Sequence, residues 1–177
     1  MSEPLLVVLA DDTDAEDHSV LFPLLRERGI AARRVHPHEL TIRLDGARAR
    51  ITVDGERLRP DLVLGWVLDD LLLPGMAQLD LLQRLGVRVI NNALTLFRAQ
   101  HTFLDSSQLS AAGVLRYPVI TGWDRAALRD WAAEIDGPLV SKPLSGFGGR
   151  GLRKVTDVDE LPAGEYYVVP YVENPGR

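Results

Sequence analysis

The sequence predicts an α/β fold, with a parallel-sheet domain over residues 1–91 and a smaller α+β subdomain over residues 92–177. Three observations carry this. In the first half, continuous apolar runs of strand length alternate with amphipathic helical stretches, as in sheets covered on both faces. Between Leu40 and Leu58 that pattern gives way to strict apolar/polar alternation broken by two Asp-Gly pairs, which reads as an antiparallel meander. In the second half, "LVSKPLSGFGGRGLRKV" (Leu139–Val155) places a lysine and four glycines between two strand-like runs, with no crossover helix to make them parallel.

Taken in order, "LLVVLA" (residues 5–10) is a buried strand that stops at the acidic stretch "DDTDAED". A helical pattern follows through "SVLFPLLRERG", with Gly29 placed just past its end, and "IAARRVHP" is a second strand. A β-α-β opening of this kind calls for parallel strands. After the meander, "DLVLGWVL" is again a buried strand, "GMAQLDLLQRLG" an amphipathic helix and "VRVIN" a short strand. Residues 92–113 read as mostly helical. "YPVIT" is a strand, "DRAALRDWAAEI" a helix capped by Asp124, and "GPLVSKP" a strand. The glycine loop then leads to "LRKV", a short "DVDEL" turn and the strand "EYYVVPYVE".

Composition narrows the function classes. The chain has 177 residues, 46% hydrophobic and 25% charged, so it can bury a sizeable core without disulfides or a structural metal. It has no cysteine, which removes disulfides, thiolate catalysis and a cysteine-type zinc site. A formal net charge of −5 disfavours nucleic acid and anionic membranes as partners. The N-terminal apolar run is too short for a signal peptide and no stretch is long enough to span a bilayer, so a cytoplasmic location is expected. Eighteen of the 20 basic residues are arginines, which makes the two lysines, Lys142 and Lys154, stand out.

The glycine loop is the first candidate site. Gly146, Gly148, Gly149 and Gly151 leave its backbone free of β-carbons, so successive N–H groups can turn toward one anion. Lys142 and Arg150 could add charge to a phosphate. A loose hairpin tip is the competing reading. The loop is neither a Walker A motif nor a dinucleotide fingerprint, because the element after it is a strand. Weaker candidates are the acidic stretch Asp11–Asp17, for which a solvated acidic loop is the competing reading, and Asp69 with Asp70 at a strand end that could line a substrate cleft. Another is His36 with His38 on one side of a strand, as in a metal pair but with no third ligand in view.

The order "INNALTLFRAQHTFLDSSQLSAAGV … YPVITG … LVSKPLSGFGGRGLRKV … YYVVPYVENPGR" resembles the central part of ATP-grasp ligases of the RimK-like or glutathione-synthase-like group, over about residues 85–177. The resemblance implies a pre-ATP-grasp domain followed by the ATP-grasp central subdomain. It implies that Lys142 contacts ATP phosphate and that Ser145, Gly146, Phe147, Gly148, Gly149, Arg150 and Gly151 form the loop that closes over the β- and γ-phosphates. It also implies that Val169, Pro170, Tyr171 and Val172 form the hinge strand reading the adenine edge, with Glu173 near the ribose. The implied activity is ATP-dependent carboxylate–amine ligation through an acyl-phosphate. The implied partners are a small-molecule or peptide carboxylate and an amine or amino acid, with a homo-oligomer left open.

Two departures qualify these implications. The first nucleotide-binding lysine of such ligases falls on Thr102, with its preceding aspartate on His101, so either Arg98 or His101 takes over that charge or ATP binding is weakened. The C-terminal lobe expected to hold Mg²⁺ and the acyl-phosphate arginines is absent from this sequence, so the chain is expected to be an incomplete portion of such an enzyme. A non-catalytic nucleotide-binding or interaction module is the alternative.

Overall fold

The structure, a computed structural model, describes residues 4–11, 15–46, 48–114, 117–146 and 148–173, with the backbone alone at position 69. It divides into two compact units, Met1–Phe97 and Arg98–Arg177.

In the first unit, β1 (Leu5–Ala10), β2 (Ala31–Val35), β6 (Leu62–Trp66) and β7 (Arg88–Ile90) form a parallel sheet in the order β2-β1-β6-β7. Val7 through Ala10 are all buried, so β1 is covered on both faces, as its unbroken apolar run requires. The helix α1 (Ala15–Glu27) begins inside the predicted acidic loop: Glu16 and Asp17 form its exposed first turn, where negative charge complements the helix dipole. The second helix, α2 (Leu72–Arg84), packs on β6 and β7 through Leu79 and Leu82.

The meander forms where predicted, with Asp54 and Gly55 both at positive φ in its second turn (53° and 79°). Of the first Asp-Gly pair only Gly46 (60°) lies in the turn, and Asp45 ends the preceding strand. β3 (Leu40–Asp45), β4 (Arg48–Val53) and β5 (Glu56–Arg57) form a separate antiparallel sheet with Arg43 opposite Arg50 and Thr52 opposite Arg57. Its inner residues Leu40, Ile51, Val53 and Leu58 join the same core as Val7, Leu9, Val63 and Leu79.

One expected strand face is not formed. His36 and His38 lie in and before a single 3-10 turn, Pro37–Glu39, and not along a strand. Pro37 has no N–H to give a sheet ladder. His36 instead caps the turn, its Nδ1 accepting from the His38 N–H at 3.1 Å while its own N–H donates to Glu39 at 2.8 Å.

Gly65 on β6 is a close-approach position. A β-carbon there would meet the Asn91 carbonyl oxygen at 2.5 Å and a Leu79 methyl at 2.6 Å. Asn91, which ends β7 in the left-handed region (φ 54°), donates its side-chain amide back to the Gly65 carbonyl at 3.2 Å.

In the second unit, α3 (Ala93–Gln100) continues in from the first, and α4 (Thr102–Ala111), β8 (Ile120–Gly122), α5 (Arg125–Ala133), β9 (Leu139–Ser141), β10 (Arg153–Val155) and β11 (Tyr166–Pro170) follow. The strands form an all-antiparallel sheet in the order β10-β9-β11-β8. Leu139, Val155, Tyr166 and Val168 point from it into a core closed by Leu128 and Trp131 of α5. The capping by Asp124 is as expected, with its carboxylate accepting from the Ala126 N–H at 2.8 Å. The segment read as mostly helical over residues 92–113 forms two helices that meet at His101.

Candidate functional site

The face of the second sheet opposite its core carries the residues the sequence singled out. Register places Lys154 beside Val140 and Val140 beside Val169, so all three share that face. Val140, Lys142, Val169, Pro170, Tyr171 and Val172, with Tyr117, line a concavity of about 260 Å³. Its lining is mostly apolar, with Lys142 as the one cationic residue in it. The Lys142 ammonium lies 5.8 Å from the centre of the Tyr117 ring, and the Lys154 ammonium 4.0 Å from that of Tyr171. Both lysines of the chain thus stand on one sheet face, each against a tyrosine.

Lys154 and Tyr117 are the residues that reasoning from the sequence did not assign. The scarcity of lysine was a usable signal for Lys154. Its place beside Val140 depends on the register of a hairpin whose loop length gives no such information.

Lys142 is held by its backbone, whose N–H donates to the Tyr167 carbonyl at 3.0 Å, extending the β9–β11 ladder past Ser141. Tyr167 is fully buried, and its hydroxyl is 2.5 Å from Ser106 on α4. Burial pushes that hydroxyl's pKa up, with the Ser106 hydrogen bond opposing, so it stays protonated at neutral pH.

The glycine loop connects β9 to β10, so it is the tip of a hairpin. Gly148, Gly149 and Gly151 all have positive φ (66°, 73° and 75°), a conformation in which side-chain-bearing residues are strained. At Gly151 a β-carbon would also come within 2.8 Å of Pro143, so loop entry and exit pack closely there. Ser145, Gly146 and Arg150 are exposed along the loop, and Phe147 lies outside the described residues. Glu173 is exposed just past the hinge residues.

The break between α3 and α4 clamps the root of this loop. Thr102 donates its backbone N–H to the Leu144 carbonyl and its hydroxyl to the Pro143 carbonyl, both at 2.7 Å, and His101 forms an isolated antiparallel bridge with Ser145. The His101 Nδ1 accepts from the Leu104 N–H at 3.4 Å, capping α4. The two positions where the resemblance puts charged residues are therefore engaged in positioning the loop. Arg98 is exposed on the last turn of α3. Replacing Thr102 with valine keeps the shape and removes the hydroxyl. We expect it to lower stability by about 1 kcal/mol, read as a lower urea midpoint at unchanged slope.

The remaining candidates belong to the first unit. Asp11 is buried at the end of β1, Asp12 to Asp14 lie outside the described residues, and Asp70 is exposed in the 3-10 turn Asp69–Leu71. Among the described residues, no group of three or more histidines or carboxylates converges as a metal site requires. No helix among them is long and apolar enough to cross a membrane.

No known family model matches the sequence. No curated protein matches it either. Solved structures do match. A RimK domain ATP-grasp protein from Sphaerobacter thermophilus is 19% identical with a TM-score of 0.68, over 96% of this chain and 64% of that one. The ATP-grasp ligase PsnB, complexed with a minimal precursor, is 22% identical with a TM-score of 0.67, over 98% of this chain and 65% of that one. The same ligase has been solved with Mg and ADP. D-alanyl-alanine synthetase A from Vibrio cholerae is 13% identical with a TM-score of 0.71, over 98% of this chain and 60% of that one. The chain spans between 60% and 65% of the length of these three neighbours. Across that length it has the ATP-grasp fold, with the parallel-sheet domain first and the antiparallel glycine-loop subdomain second.

Proposed function

We propose that this chain supplies the nucleotide-binding part of an ATP-dependent carboxylate–amine ligase. The observation that carries the reading is the outer face of the second sheet. There Val140 and Val169 share a concavity with Lys142, and Lys154 stands beside Val140. The hairpin of β9 and β10 ends in a loop whose glycines free its backbone N–H groups.

The hinge supports adenine recognition in a specific way. The Tyr171 N–H is already used, donating to the Pro138 carbonyl at 2.8 Å. Successive peptide groups of an extended strand alternate between its two edges. The Pro170 carbonyl and the Val172 N–H therefore face the other edge, one acceptor and one donor, which is the pairing an adenine edge needs. Lys142 and the loop from Ser145 to Gly151 would hold the phosphates, and Glu173 would approach the ribose.

In the ligase reaction the γ-phosphoryl group passes to a substrate carboxylate oxygen, giving an acyl-phosphate and ADP. An amine nitrogen then attacks the acyl carbon, expels phosphate and loses its proton to leave an amide. The role of this chain's residues in that scheme is to orient the triphosphate and, through the loop, to keep water from the intermediate. Mg²⁺ neutralises the transferring group in such reactions. Among the described residues no group of three or more histidines or carboxylates converges to hold it.

A second reading, a nucleotide-binding module without catalysis, is favoured by one observation. Thr102, at the expected lysine position, spends both its donors on the loop root. Calorimetry with Mg-ATP, followed by a phosphate-release screen over amino acids and acidic peptides, separates the readings. Saturable ATP binding with acid- and amine-dependent phosphate release supports the ligase. Binding without release supports the module, and no binding overturns both.

A further inference from the structure

We propose that the outer face of the β3-β4-β5 meander is a docking surface for an acidic peptide segment, a stretch carrying two or more side-chain carboxylates. Strand alternation and register set what that face displays. Leu40, Ile51, Val53 and Leu58 are buried on the inner side. The outer side carries Thr41, Arg43 and Asp45 on β3, Arg48, Arg50 and Thr52 on β4, and Arg57 on β5. Four guanidinium groups and one carboxylate thus share one small face, in a chain whose formal net charge is −5.

The arrangement is not explained by internal pairing. Arg43 is bound to Asp45 at 3.0 Å, but Arg48, Arg50 and Arg57 have no ion-pair partner among the described residues. Arg43 and Arg50 stand directly opposite each other in the register. Like charges in that relation destabilise a strand pair, and an anion laid across them removes the cost. Asp45, Arg48, Arg50 and Arg57 also border one concavity of about 450 Å³, together with Ala49.

Charge and shape together select the occupant. Planar guanidinium forks match carboxylates in bidentate geometry. The two threonines offer hydroxyls to a peptide backbone, and β3 is an open edge of its sheet. A long polyanion is a poorer fit, because the positive patch is short and the rest of the chain is net negative.

The test is fluorescence anisotropy of a fluorescein-labelled hexaglutamate peptide with the full chain, at low and at physiological salt. Binding that weakens with salt is expected, and the combined variant Arg48→Gln, Arg50→Gln, Arg57→Gln should lose about tenfold or more in affinity. Unchanged affinity in that variant overturns the proposal. So does equal or tighter binding of a single-stranded oligonucleotide of the same charge. A second variant keeps the test valid if the triple change does not fold. Arg50→Gln alone relieves the Arg43–Arg50 repulsion and is expected to raise the urea midpoint while weakening peptide binding. A raised midpoint with peptide binding unchanged also counts against the docking surface.

Discussion

Replacing Lys142 with alanine is expected to weaken Mg-ATP binding by about tenfold to a hundredfold. A charge-assisted hydrogen bond to a phosphate contributes roughly 1.5–3 kcal/mol, and each 1.4 kcal/mol is about tenfold in affinity. The fold should tolerate the change. The Lys142 side chain is half-buried, and its structural contact is the backbone N–H to the Tyr167 carbonyl, which alanine keeps. Lys142→Met refines the measurement, because it retains the aliphatic stem against Tyr117 and removes only the charge. Calorimetry should find both variants similarly weak, with urea midpoints close to the parent. If Lys142→Met binds ATP as the parent does, the ammonium does not meet the phosphates and the assignment of this face fails. If alanine alone is weak, the stem rather than the charge is what matters there.

The parts of the fold that were legible in the sequence are those decided locally. The unbroken run Leu5–Ala10 announced a strand buried on both faces, and the Asp-Gly pairs at 45–46 and 54–55 announced the meander turns. What escaped was decided by partners far along the chain. Residues 92–113 read as mostly helical and are so, but nothing local marks the break at His101, where residues 101 and 102 bond to residues 143–145. "YPVIT" reads as a strand from Tyr117, but β8 begins only at Ile120, where β11 supplies Val168 as a partner. His36 and His38 read as two residues on one side of a strand, but Pro37 between them cannot join a ladder and the segment is a 3-10 turn. The candidate site shows the same division. Lys142 and the glycines were visible as residue types, whereas the company of Lys154, Tyr117 and Thr102 depends on register and on a contact across 41 residues.

Gly65→Ala is expected to be strongly destabilising to the first unit, costing about 3 kcal/mol or more. Two neighbours oppose the new β-carbon, and they differ in how far they can yield. The Leu79 methyl at 2.6 Å is the end of a side chain that can rotate at moderate cost in a packed core. The Asn91 oxygen at 2.5 Å is backbone, fixed by the end of β7 and by the side-chain bond from Asn91 back to Gly65. Relief there requires β6 and β7 to separate, which strains the Val63–Val89 and Leu64–Ile90 pairing. Gly86→Ala is the control. Gly86 also has positive φ (85°), but nothing lies within 4 Å of its added carbon. Its loss should be only the conformational one, on the order of 1 kcal/mol. Urea unfolding of both variants should therefore separate contact from conformation. Adding Leu79→Ala to Gly65→Ala completes a cycle: partial rescue relative to the sum of the single changes is expected, since it clears one obstruction and leaves the carbonyl. Full rescue would show that the side chain alone was limiting, and that the β6–β7 edge is free to move around Asn91.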